Sequence, residues 1–259
     1  MSFFGIKGVH VPHRKHTADC HPERMPIPKT VVIPMAQHIG APAKPVVNVG
    51  DTVGVGQVIG EAVGFISAPV HASVSGTVKK IDTMPNSNGG TMTAITIESD
   101  GEMRAHESVV PPTVTNYEEF VAAVRASGIV GLGGAGFPTF VKLSVKDLSQ
   151  VQEVVLNGAE CEPYITADTL TMTDRAEDIF EGIQLLEKYL GVKKVSSVSK
   201  ITNPRQSKQC RNFPKKTAQS LLNPCPQHIL RAVRKFLFTT PPAKPFRKAN
   251  SRSTSAALL

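Results

Sequence analysis

No stretch of this 259-residue sequence approaches the roughly 20 consecutive apolar residues that a membrane-spanning helix requires. Its first residues, Met1-Ser2-Phe3-Phe4-Gly5, lack the charged-then-apolar pattern of a secretory signal. A soluble or peripheral product, not secreted by this route, is therefore expected. The four cysteines, Cys20, Cys161, Cys210 and Cys225, include no C-x-x-C pair, so neither a zinc site nor an iron–sulfur cluster motif is spelled out. Isolated thiols in a reducing compartment are the plain reading. Acidic residues are missing altogether from positions 196–259, which hold thirteen Lys or Arg; residues 1–195 carry the other sixteen basic groups and all twenty-one acidic ones. The formal net charge of +8 thus belongs to the tail, and the body of the chain is net acidic. Basic residues without aromatic interleaving or a recognition motif do not make a nucleic-acid arm, and no nucleic-acid partner is expected.

What is present begins with short β-branched runs between residues 31 and 98, punctuated by Gly, Pro and Asn: Val31-Val32-Ile33, Val46-Val47, Gln57-Val58-Ile59-Gly60-Glu61, Gly76 to Ile81, and Met92 to Ile97. Such spacing predicts a small all-β unit. Val49-Gly50-Asp51-Thr52-Val53, Gly56 to Glu61, Ala68-Pro69-Val70 and Ser75-Gly76-Thr77-Val78 resemble the barrel-sandwich hybrid of lipoyl and biotinyl carrier domains, with glycines supplying the tight turns of its hairpins. A carrier needs a lysine at its hairpin tip to bear the acyl cofactor. No lysine lies between Lys44 and Lys79, and the tip falls near Gly64-Phe65-Ile66, so a rigid docking or spacer module is expected instead of a swinging arm.

After residue 116 the period becomes helical. Phe120, Val121 and Val124 recur on one face, with Thr115 as the expected cap and Glu118 and Glu119 in the first turn. An apolar strand is expected over Val151 to Leu156. A second helix is expected from about Arg175 to Leu190, with Ile179, Phe180, Ile183, Leu186, Tyr189 and Leu190 inward and Gly191 as its stop.

The loop from Gly128 to Thr139 contains Gly131, Gly133, Gly134 and Gly136. It satisfies G-x-G-x-x-G but follows a helix, which is the wrong context for a Rossmann fingerprint; its physical content is a run lacking Cβ atoms, where backbone N–H groups can converge on an anion. Gly133-Gly134-Ala135-Gly136-Phe137-Pro138-Thr139 with Lys142, followed by Asn157-Gly158-Ala159-Glu160-Cys161-Glu162-Pro163-Tyr164, resembles the flavin loops shared by the Rnf (Rsx) C subunit and the NADH-binding subunit of respiratory complex I. Gly8 to Lys15, Val32 to Pro42 and Ser67 to Gly76 resemble Rnf C specifically, because complex I lacks the barrel.

The resemblance implies that Gly133, Gly134, Gly136 and Lys142 hold the FMN phosphate, while Asn157, Glu160 and Glu162 line the flavin and nicotinamide; complex I proteins carry Asp where Ala159 stands. It implies an NADH-linked oxidoreductase subunit passing electrons between NADH, FMN and 4Fe-4S clusters. Its partners would be the other subunits of a membrane-bound ion pump, on whose cytoplasmic face it would sit peripherally. Cluster ligands are not found in this chain, and no residue is assigned as catalytic or as a metal ligand. For His10, His13, His38 and His71, set among turn residues, a structural role is expected over metal ligation. The expected class is α+β: a barrel-sandwich hybrid over residues 1–110, the start of an α/β flavin- and NADH-binding domain over 111–195, and a disordered basic tail over 196–259. A non-catalytic binding or assembly module that keeps only the barrel is the second reading.

The tail has a specific expectation of its own. After Val195 the family would continue Val-Ile-Gly-Ile-Glu-Asp-Asn, encodable as GTC-ATC-GGT-ATC-GAA-GAT-AAC. Read one base later this gives Ser-Ser-Val-Ser-Lys-Ile-Thr, the sequence found from Ser196 to Thr202. A family-like Gln-Gly-Gly-Glu-Lys-Val, CAG-GGC-GGT-GAG-AAA-GTT-C, likewise becomes Arg231-Ala232-Val233-Arg234-Lys235-Phe236. Both matches use the same shifted frame, which predicts a one-base deletion near Val195 and a truncated redox subunit.

Overall fold

A computed structural model describes residues 12, 14–132, 135–158, 160 and 162–199. Gly133, Gly134, Ala159, Cys161, His10 and His13 lie outside the described residues, as does the tail from Lys200 on. In chain order the elements are strands β1 (Thr30–Pro34), β2 (Lys44–Pro45), β3 (Thr52–Val53), β4 (Val58–Glu61), β5 (Val70–His71), β6 (Gly76–Pro85) and β7 (Thr91–Ser99), helices α1 (Tyr117–Ala126) and α2 (Thr139–Leu143), strand β8 (Val154–Gly158), helices α3 (Ala167–Asp174) and α4 (Ala176–Leu190), and strand β9 (Val195–Ser199). The class is α+β, as the sequence pattern implies.

The chain divides into two compact units. One spans residues 24–146; the other joins the described residues up to Glu23 to those from Asp147 onward. In the first, an antiparallel sheet of order β1-β7-β6-β3 and a smaller sheet of order β2-β4-β5 form the barrel-sandwich hybrid. Alternation sets its inner face: Ile33 pairs with Ile95 across β1 and β7, and Val78 with Ile97 across β6 and β7. With Met35 and Ile59 these side chains fill the core, where Met35, Ile59, Val78, Ile95 and Ile97 are fully buried. Each contributes about 2 kcal/mol through lost apolar exposure. A bulge between Val78 and Lys80 shifts the register, so Lys79 is left outside the ladder and pairs with Glu98 at 2.7 Å on the surface.

The hairpin tip at Gly64-Phe65-Ile66 is fastened to the helices that follow. Phe65 packs edge-on to Phe140 of α2 with ring centroids 6.0 Å apart, the Arg125 guanidinium lies 4.9 Å from the Phe140 ring centroid, and the same guanidinium donates to the Gly64 carbonyl at 3.2 Å. Tyr117 ties α1 to the end of α2 by donating to the Leu143 carbonyl and accepting from the Val145 N–H at 2.9 Å. These contacts explain why residues 111–146 join the barrel's compact unit, whereas the sequence pattern suggests a boundary at 110. Treatment with a lipoyl or biotin ligase is expected to leave the intact mass unchanged, since the fastened tip offers no amine; an adduct within residues 45–78 would contradict this.

The cap of α1 is Asn116 and not Thr115. The Asn116 side chain accepts from the Glu119 N–H at 2.9 Å, and the Glu119 carboxylate accepts from the N–H and hydroxyl of Thr115. In the second unit β8 and β9 pair in parallel, joined through α3 and α4. Strand β8 begins three residues later than the apolar run suggests. Helix α4 buries Ile183, Leu186 and Leu190, and Gly191 ends it in the left-handed conformation. The smaller α3 has no apolar stripe, which is why its sequence reads as loop. Strand β9 carries regular pairing four residues past Val195, because a ladder is made by backbone groups and Ser and Val both tolerate it.

Candidate functional site

The first loop leaves α1 and is closed at its base by a bridge between Val130 and Pro138. The Gly131 N–H donates to the Phe137 carbonyl and the Thr139 N–H to that of Ile129, both at 2.9 Å. Its crown includes Leu132, 94% exposed. The Ile39 N–H donates to the Ala135 carbonyl at 3.0 Å. Gly136 has φ +63°, and a Cβ there would stand 2.8 Å from the Gln37 carbonyl oxygen, so the loop is sewn against the barrel turn at residues 37–39. His38 holds that turn: its Nε2 accepts from the Ala68 N–H at 3.1 Å.

Lys142 stands beside this loop. It is half-buried, its Nζ lies 3.6 Å from where a Gly131 Cβ would be, and burial holds its amine below the usual lysine range. No carboxylate among the described residues pairs with it. A desolvated ammonium beside Gly131 suits a phosphate or similar anion, and an added Cβ at Gly131 would narrow that space.

The second loop belongs to the other compact unit and follows β8, which delivers Asn157 at its exposed end. Glu160 is only 5% exposed, and both of its oxygens are engaged. Oε1 accepts from the Asp168 N–H at 2.9 Å; Oε2 accepts from Lys15 Nζ and from the Thr169 hydroxyl, each at 3.0 Å. Lys15 also donates to the carbonyls of Glu162, at 2.7 Å, and Ile165. The Arg14 N–H donates to the Pro163 carbonyl at 3.0 Å, and the hydroxyls of Thr17 and Thr166 share a 2.7 Å hydrogen bond. Burial, then the charges of Glu160 and Glu162, push the Asp168 carboxyl above its ordinary value against the pull of Lys15.

Of the residues singled out from sequence, Gly136 and Lys142 therefore share one unit and Asn157, Glu160 and Glu162 the other. Lys15 and the start of α3 are the parts that sequence reasoning missed. Lys15 stands in the Gly8–Lys15 motif, but its partner is 145 positions away and no local pattern announces it.

Residues 3–102 match the family model of the RnfC barrel sandwich hybrid domain, and residues 124–230 that of the Nuo51 FMN-binding domain. The chain is 46% identical over 191 residues to the C subunit of the Na(+)-translocating ferredoxin:NAD(+) oxidoreductase complex of Acetobacterium woodii, covering 72% of this chain and 43% of that protein. It is 42% identical over 201 residues to the C subunit of the ion-translocating oxidoreductase complex of Rhodobacter capsulatus, covering 75% and 39%. With the C subunit of the proton-translocating ferredoxin:NAD(+) oxidoreductase complex of Clostridium ljungdahlii it shares 43% identity over 193 residues, covering 72% and 42%. The chain thus spans less than half the length of these relatives. By its barrel and the flavin-domain sequence that follows, it belongs to the family of Rnf complex C subunits.

Proposed function

We propose that this chain is a truncated peripheral redox subunit that carries the barrel and the flavin loops, and that the intact subunit is seated on the cytoplasmic face of a membrane-bound ion-translocating complex and partnered by its other subunits. The observation that carries the reading is the half-buried Lys142 ammonium, without a carboxylate among the described residues, beside a glycine loop. In this reading Gly133, Gly134, Gly136 and Lys142 hold the FMN phosphate, Asn157 and Glu162 face the flavin and the nicotinamide of NADH, and Glu160 shapes the loop that presents them. FMN, when bound, supplies the exchange between two-electron hydride chemistry and one-electron transfer toward iron–sulfur clusters. The protein's share is to fix the phosphate, orient the ring and exclude water. No helix among the described residues is long and apolar enough to cross a membrane, which is compatible with a peripheral position.

We further propose that residues 196–259 are read in a shifted frame, so that the sequence completing the nucleotide pocket and carrying the cluster cysteines is not in this chain. Pairwise matches covering 72–75% of the chain support that division, while the domain match continues to residue 230. The coding DNA decides between the two extents. After the Val195 codon, its other frame is expected to encode an Rnf-like continuation reaching cysteine-rich motifs; unrelated sequence in that frame would remove this part of the proposal. A non-catalytic assembly role for the barrel is the second reading, favoured by the fastened hairpin tip.

A further inference from the structure

We infer that Lys15 is the positioning residue of the second loop, so that the segment ahead of the barrel is part of the nucleotide site; its consequence for ligand binding rests on the flavin reading above. A lysine ammonium has three N–H donors, and here each finds an acceptor on one short stretch: the Glu160 carboxylate at 3.0 Å, the Glu162 carbonyl at 2.7 Å and the Ile165 carbonyl. The described residues of that stretch have no regular structure of their own. Helix α3 begins after Thr166, whose side chain makes no capping bond to the helix and whose hydroxyl is bonded to Thr17. Glu160 takes over the cap by accepting from the Asp168 N–H, one of the donors a helix start leaves without an internal partner. Lys15 and Thr17 therefore fix the loop at both ends, and Lys15 supplies the only cation in direct contact with Glu160 among the described residues.

Removing the ammonium leaves a carboxylate that is 5% exposed without its counter-charge and two carbonyls without their donor. The loop that carries Glu162 then opens while the barrel, in the other compact unit, keeps its hydrogen bonds. Arginine keeps the charge, but its planar fork cannot converge on three acceptors around one atom, so it restores the loop only in part.

The test measures amide hydrogen exchange in the full 259-residue chain for the parent, Lys15→Met, Lys15→Arg, Glu160→Gln and the Lys15→Met/Glu160→Gln pair, together with FMN and inorganic phosphate titrations of the frame-restored protein and its Lys15→Met variant. Lys15→Met is expected to speed exchange across residues 160–170 at least about tenfold with β6 and β7 unchanged. Lys15→Arg should fall between Lys15→Met and the parent, and the double variant should be no worse than the more severe single one. In the frame-restored protein, FMN affinity should fall about tenfold in Lys15→Met while inorganic phosphate binding is unaffected. Unchanged exchange in Lys15→Met, additive single effects, or faster exchange through β6 and β7 as well would each overturn the positioning role. Failure of the frame-restored parent to bind FMN would count against the flavin reading, and the exchange data would still decide the role of Lys15.

Discussion

Gly76→Val is expected to lower the stability of the barrel unit by more than about 3 kcal/mol, enough to leave much of it unfolded. Gly76 opens β6 and pairs with Ser99 of β7 on one side and Val53 of β3 on the other. Its φ of +154° and its surroundings both exclude a side chain: a Cβ would lie 2.0 Å from the Glu98 carbonyl oxygen and 2.9 Å from the Ser99 Cα. Those atoms are backbone in β7, an inner strand of the larger sheet, so they can yield only if the ladder breaks. Gly50→Ala is the control. Its φ is +97° with nothing within 4 Å of the added carbon, and it is expected to cost about 1 kcal/mol from backbone conformation alone. Urea unfolding followed by far-ultraviolet circular dichroism separates the two variants; equal midpoints would show that the close approach at Glu98 does not govern the barrel.

In the frame-restored protein, Lys142→Glu is expected to weaken FMN binding by on the order of a hundredfold, because it removes a charge-assisted hydrogen bond and sets a carboxylate against the phosphate. The effect has a pH signature. Burial lowers the Lys142 pKa in the folded chain, so holding the charged amine costs stability at pH values below that pKa, and the cost is relieved as pH rises through it. Phosphate binding reverses the sign by favouring the ammonium. The Lys142 pKa should therefore rise on FMN binding, and affinity should decline as pH climbs through the lowered value of the free protein. Side-chain nuclear magnetic resonance of the lysine amine reads this directly; an unchanged pKa with FMN bound would place the phosphate elsewhere.

The barrel was legible because its information is local. Val31-Val32-Ile33 and Met92 to Ile97 alternate with the pleat, and they became β1 and β7 with Ile33 opposite Ile95. The glycines were only partly legible. Gly50 stands in a turn, as its type suggests, but Gly76 is the first residue of a strand, where it is required by a carbonyl from a neighbouring strand that no sequence window contains. At the loops, glycine content and Lys142 were visible as residue types. The burial of Lys142, which makes its charge useful to an anion, follows from packing. Glu160 shows the limit most clearly. Its type suggested a ligand contact, whereas its oxygens are occupied by Lys15, Asp168 and Thr169, a contact set that joins the N-terminal segment to α3 across the intervening barrel sequence.

Flavin fluorescence titration of two proteins, residues 1–259 as they stand and the same gene with its frame restored after Val195, tests the account most directly. The restored protein is expected to bind FMN tightly and to lose it on Lys142→Glu, while the 259-residue chain binds weakly or not at all, because phosphate contacts alone do not hold a ligand whose pocket lacks a wall. Tight FMN binding by the 259-residue chain would contradict the shifted-frame account, and a restored protein that binds no FMN, or binds it equally well with Lys142→Glu, would contradict the assignment of the site.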